Sequence, residues 1–167
     1  MKKRWYPVSQ NLEAAGFFQQ GVMRYNRKDL PGAEIAFRDR FTKGPKIGEA
    51  RNYLGNIMLQ ENRLYLAVQE HGEAIRLNPD SVQAYNNLGV VLQKQGQPEA
   101  AITAYRQALV VDPGMASAHY NLGTLLYKQG QIAEAITAYK EAVNLNKSND
   151  KAYFKLAIAL QQQGDIE

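Results

Sequence analysis

An all-α fold, built as a row of antiparallel helical hairpins, is predicted by three observations on the sequence. First, the stretch "AYNNLGVVLQKQGQPEAAITAYRQALVVDPG" at 84–114 is answered by "AHYNLGTLLYKQGQIAEAITAYKEAVNLNKS" at 118–148, with Leu122 standing 34 positions after Leu88. Second, each copy carries two apolar stripes at helical spacing. Third, a break containing Gly separates the two stripes, and in the first of these copies a Pro closes the second. Self-similarity at such a period marks a unit that cannot bury its apolar face alone and stacks on its neighbours.

The Leu-Gly pairs set the register of the whole chain. One step back from Leu88-Gly89 lies Leu54-Gly55, a further step reaches Gln20-Gly21, and one step beyond Leu122-Gly123 lies Leu156-Ala157. The copies are then 14–47, 48–81, 82–115, 116–149 and an incomplete 150–167, preceded by a basic segment at 1–13. In "SQNLEAAGFF" we read a helix entry with Ser9 or Asn11 as the cap, and we expect Trp5 and Tyr6 to fold onto copy one. Copy one departs from the others at Gln20, Arg24 and Arg40, as a terminal copy with a water-facing side would. Copy three shows the hairpin most plainly. Tyr85, Leu88, Gly89 and Leu92 form its first stripe, Gly96 and Pro98 turn the chain, and Ala101, Ile102, Tyr105, Ala108 and Leu109 form the second. Pro98 suits a first helical position, where no backbone donor is needed, and Asp112-Pro113 ends the helix. Small residues at Gly89, Ala101 and Ala108 let the helices approach, with Tyr85 and Tyr105 filling the remaining volume. Copy five ends at "ALQQQGDIE", after one helix, either as a lone cap or as a piece of a longer chain in which "GDIE" opens a second helix. On that helix Leu156 and Leu160 are expected to pack back onto copy four, with the opposite side open to self-association, so that a homodimer through the C-terminal helix is expected.

Composition narrows the chemistry. Hydrophobic residues make up 45% of the chain, too many for a disordered one. Absence of cysteine excludes a disulfide framework, a thiolate metal site and a cysteine nucleophile. Of the two histidines, His71 and His119, both fall on core positions of the repeat, which leaves no metal cluster and no expected cofactor. No phosphate-cradling loop, nucleophile elbow or zinc-protease signature occurs, and Glu70, Glu73 and Glu99 are expected on solvated helix faces. We therefore expect no catalytic residues and no enzyme. The basic start is not followed by an apolar run, so neither a secretory signal nor a membrane span is expected, and the chain reads as cytoplasmic. The "NKS" at 146–148 is then an inert glycosylation match. The net charge is +4, concentrated in residues 1–47, which hold ten Lys/Arg against four Asp/Glu. Most tyrosines fall at or beside core positions, which argues against stacking on nucleic-acid bases, so no nucleic acid is expected.

With positions counted from the first residue of each copy, position 20 reads Ala33, Ala67, Ala101, Ala135, position 24 reads Phe37, His71, Tyr105, Tyr139, and position 32 reads Pro45, Pro79, Pro113. This resembles the tetratricopeptide repeat family, whose pattern is W-x2-L-G-x2-Y…A-x3-F…P. The resemblance implies a right-handed superhelical solenoid of antiparallel hairpins, with first helices lining a concave groove that binds a peptide or helix of another protein. On the groove positions this chain carries Asn52, Asn56, Asn86, Asn87, Asn121, Lys151 and Lys155, with Phe18, Tyr120 and Phe154 as apolar contacts. Amides that both donate and accept hold an extended backbone, and two lysines one turn apart suit an acidic segment. Asn121, Lys151 and Lys155 also resemble part of the carboxylate clamp of chaperone-binding members, while Asn86 and Val90 depart from it. The pair Asn87 and Asn121 is similar to two rungs of the asparagine ladder in protein O-GlcNAc transferases. The resemblance thus implies a non-enzymatic adaptor or scaffold. The alternatives are the substrate-recognising arm of a larger enzyme, or a self-assembling structural repeat protein.

Overall fold

The structure, a computed structural model, describes residues 8–38 and 46–164, with side chains from residue 15 onward. The described residues form helices only: α1 (Val8–Asn26), α2 (Leu30–Arg38), α3 (Ile47–Gln60), α4 (Leu64–Leu77), α5 (Val82–Lys94), α6 (Pro98–Val111), α7 (Ala116–Lys128), α8 (Ile132–Leu145) and α9 (Asp150–Gly164). They fall into two compact units, Met1–Pro79 with α1–α4 and Asp80–Glu167 with α5–α9. In the first, α1 pairs with α2 and α3 with α4, and α2 packs on α3. In the second, α5 pairs with α6 and α7 with α8, α6 packs on α7, and α8 on α9. The helices thus pair as successive hairpins.

One correction concerns the first copy. Helix α1 starts at Val8, so Ser9 and Asn11 lie inside it rather than capping it. Short polar residues such as Ser and Asn are compatible with a first helical turn as well as with a cap. Trp5 and Tyr6 lie outside the described residues. Elsewhere the predicted stops hold: α6 begins with Pro98 at its first turn and ends at Val111, just before Asp112-Pro113.

The core repeats the same contact. Position 20 is a fully buried alanine in all four copies (Ala33, Ala67, Ala101, Ala135). The ring at position 24 (Phe37, His71, Tyr105, Tyr139) lies across the Gly at position eight. A Cβ on Gly21, Gly55, Gly89 or Gly123 would sit 2.6, 2.5, 2.5 or 2.9 Å from that ring. Glycine is required here by space, not by dihedral angle. The turn between paired helices instead uses the left-handed region at one repeat position: Lys28, Asn62, Gly96 and Gly130, with φ of 66°, 59°, 74° and 77°. Two further positions escape the family pattern yet are buried in copies two to five: Ala50, Ala84, Ala118, Ala152, and Ile57, Val91, Leu125, Ala159.

Candidate functional site

In the second unit, α7 touches α5 on one side and α9 on the other, so the three first helices form one wall. Asn121 crosses that wall, its Nδ2 donating to Asn86 Oδ1 at 3.1 Å. Asn86 is buried, so its amide joins α5 to α7. Asn87 is half-buried one residue on. Tyr120 is half-buried against both clusters of the unit, its ring 6.1 Å from Tyr139. On α9, Lys151 and Phe154 are exposed, Phe154 by 65%, and Lys155 is half-buried. Neither lysine forms an ion pair with a described residue. The wall is electrically one-sided. Its described charges are Lys94, Lys128, Lys151 and Lys155 against Asp150, whereas α6 and α8 carry Glu99, Glu134 and Glu141 beside Arg106 and Lys140.

Asn52 and Asn56 belong to the first unit, both half-buried on α3. Asn52 Oδ1 lies 2.9 Å from Nδ1 of His71, which is fully buried, so the ring donates there and Asn52 anchors it. Nε2 of His71 has no partner, and burial pushes the imidazole down to about 4, keeping it neutral. Phe18, expected as a groove contact, is instead buried in an aromatic cluster, with ring centroids 5.9 Å from both Phe37 and Tyr53. Glu70, expected in solvent, is buried and accepts from Arg51 Nη1 at 2.8 Å. Position four of copy two holds an Arg long enough to reach α4, a pairing invisible to a reading by helix faces.

A depression of about 370 Å³ in the first unit is lined by Arg38, Arg51 and Arg76 over Phe37, Ile47 and Leu54. Each guanidinium there is taken by a carboxylate, from Glu34, Glu70 and Glu73 respectively. Arg76 holds the Glu73 carboxyl below its ordinary range. His119, half-buried, contacts the Pro113 carbonyl through Nε2 at 2.9 Å. No group of three or more potential metal ligands occurs among the described residues, and no described helix is long and apolar enough to cross a membrane. Sequence reasoning missed Tyr153 and Leu160 as surface residues, 45% and 43% exposed. Leu160 was expected to pack onto copy four. Leu156 does so, whereas Leu160 faces water.

A crystal structure of MamA shares the fold with a TM-score of 0.76 at 24% identity, over 86% of this chain and 84% of that one. A second structure, of MamA protein, aligns with a TM-score of 0.77 at 23% identity, over 90% of this chain and 82% of the other. The first TPR of Spaghetti (RPAP3) bound to the HSP90 peptide SRMEEVD aligns with a TM-score of 0.68 at 14% identity, over 70% of this chain and 93% of that one. No curated protein sequence matches the chain. One family model, described as tetratricopeptide repeat, matches residues 86–152 and 120–167, and another, described as TPR repeat, matches 55–96. With these matches, and with the buried alanines and ring-on-glycine contacts recurring at the same interval, the chain belongs to the tetratricopeptide repeat family.

Proposed function

We propose that this chain is a non-catalytic cytoplasmic adaptor that holds an extended, acidic peptide of a partner protein against the wall of α5, α7 and α9. The observation that carries the reading is Phe154, a large apolar ring left in solvent between Lys151 and Lys155. An exposed aromatic beside cations without carboxylate partners is the composition of an anchor point for an acidic segment. Asn87 and Asn121 supply amides to the peptide backbone, and Asn86 sets the orientation of Asn121. The tetratricopeptide repeats are generally interaction modules, and the structurally similar RPAP3 repeat is bound to a peptide with consecutive acidic residues.

The test is titration of a fluorescent SRMEEVD peptide, and of its Gln/Asn-neutralised form, into the protein. The acidic form should bind more tightly, and Lys151→Ala with Lys155→Ala should cost about 1.5–3 kcal/mol of affinity, the range of hydrogen bonds to charged groups. Equal binding of both peptides, or an unchanged affinity in the double variant, overturns the reading. A second reading, self-association through α9, is favoured by the exposure of Tyr153 and Leu160.

A further inference from the structure

Beyond its peptide wall, the second unit carries a hollow of about 300 Å³ lined by α6, α7 and α8. Leu109, Leu122 and Ala138 make its apolar surface, and Arg106, Glu134 and Glu141 stand along it. The depression in the first unit uses the same repeat positions. Positions 25, 4, 7 and 26 supply Arg38, Arg51, Leu54 and Glu73 there, and Arg106, His119, Leu122 and Glu141 here. The two differ in what meets the carboxylate at position 26. Arg76, at position 29 of copy two, donates to both oxygens of Glu73 at 3.0–3.2 Å. Position 29 of copy four is Asn144, and Glu141 forms no ion pair with a described residue. Arg106 does not supply the missing cation, because it pairs with Glu134 at 3.4 Å, about two helical turns from Glu141.

Two further features favour a positive guest. Leu109 stands in the last turn of α6, so the negative end of that helix dipole lies beside the hollow, and no basic residue in that turn offsets it. In α4 the last turn holds Arg76. His119 meets the Pro113 carbonyl through Nε2, which must donate there, and Nδ1 of the neutral ring is left as an acceptor. An apolar hollow with an unpaired carboxylate beside it fits a cation carried on an apolar stem. Among cationic side chains arginine matches best. Its planar fork meets a carboxylate through two parallel bonds, as Arg76 meets Glu73, and its stem covers apolar surface. We infer that this hollow seats an arginine side chain of a partner protein, with the guanidinium on Glu141 and the stem over Leu109 and Leu122. The inference does not depend on the acidic-peptide reading. It uses α6 and α8 in place of α5 and α9, and it names a partner of the opposite charge.

The test is titration of a fluorescent peptide ARARARA, and of its lysine and citrulline counterparts, into the whole protein. The arginine form should bind best, and the uncharged citrulline form about tenfold more weakly. Glu141→Gln should weaken the arginine form by a similar factor. Asn144→Arg should do so as well, by giving Glu141 an internal guanidinium of the kind that Arg76 gives Glu73. Both positions are exposed, so helix content measured by circular dichroism should stay constant in each variant. Glu99→Gln removes an exposed carboxylate of α6 outside the hollow and should leave the affinity unchanged. In methyl-labelled protein, the Leu109 and Leu122 signals should shift as the arginine peptide is added. An equal loss in Glu99→Gln and Glu141→Gln would mean general attraction to a charged surface, and it overturns the inference. Unchanged affinity in Asn144→Arg, or methyl signals that stay in place, overturns it too. Equal binding of the lysine form overturns arginine as the guest.

Discussion

His71 shows how one residue links packing to solution behaviour. It occupies a position that holds Phe or Tyr in the other copies, and it is buried as they are, with one nitrogen held by Asn52 and the other unpartnered. Its folded value of about 4 lies below the ordinary 6.5, so the unfolded chain binds more protons between those values. The contribution is therefore fully present above pH 6.5 and is lost as pH falls toward 4, up to about 3 kcal/mol at 1.36 kcal/mol per unit. Urea unfolding from pH 7.5 to 4.5 should show this slope, and His71→Phe should flatten it. Lys28 is a second telling residue. It holds φ at 66°, a conformation that costs an ordinary side chain roughly 1–2 kcal/mol and glycine almost nothing. Lys28→Gly should raise stability by about 0.5–1 kcal/mol, and Asn62→Gly by less, since Asn tolerates this region. A midpoint that falls in Lys28→Gly would show that its side chain contributes more than the backbone loses. The core role of His71 was legible from its repeat position. That Asn52 is committed to it was not, because a hydrogen bond between α3 and α4 leaves no mark in a pattern of faces.

At the level of helices, the closeness of each pair rests on one missing methyl. Tyr105 is fully buried, so its ring has no room to swing from a Cβ added at Gly89. Gly89→Ala should therefore cost about 1–3 kcal/mol, the range for overpacking, and Gly123→Ala somewhat less, since its Cβ would stand farther from Tyr139. Tyr105→Leu should recover part of the Gly89→Ala loss, as a coupling energy in a double-mutant cycle of chemical unfolding. Purely additive losses would show that the ring and the glycine do not constrain each other. The pairing itself, and the turn at Gly96 and Gly130, could be read from the repeat. The start of α1 at Val8 could not, since short polar residues are compatible both with a cap and with a first turn.

For the molecule as a whole, repeat arrays gain stability from each repeat and its immediate neighbours, so a perturbation stays largely where it is made. Acidification from pH 7 to 5 should accordingly speed amide exchange in α3 and α4, around His71, while α7 and α8 keep their protection. Mass spectrometry of exchanged peptides would read this, and uniform loss of protection would mean that the two units open together. The sequence alone determined the helical hairpins, the buried alanines at position 20 and the buried ring at position 24, because a repeated unit writes its packing constraints into each copy at the same interval. It also singled out the polar row on the first helices. Only the tertiary structure decided which members of that row are spent inside the protein. Asn52 and Asn86 are hydrogen-bonded to His71 and Asn121, Phe18 is buried among aromatic rings, and Lys151 and Phe154 stay in water with Lys155 half-buried. A periodic pattern specifies which side of a helix a residue occupies, whereas exposure depends on the particular side chain that stands opposite it.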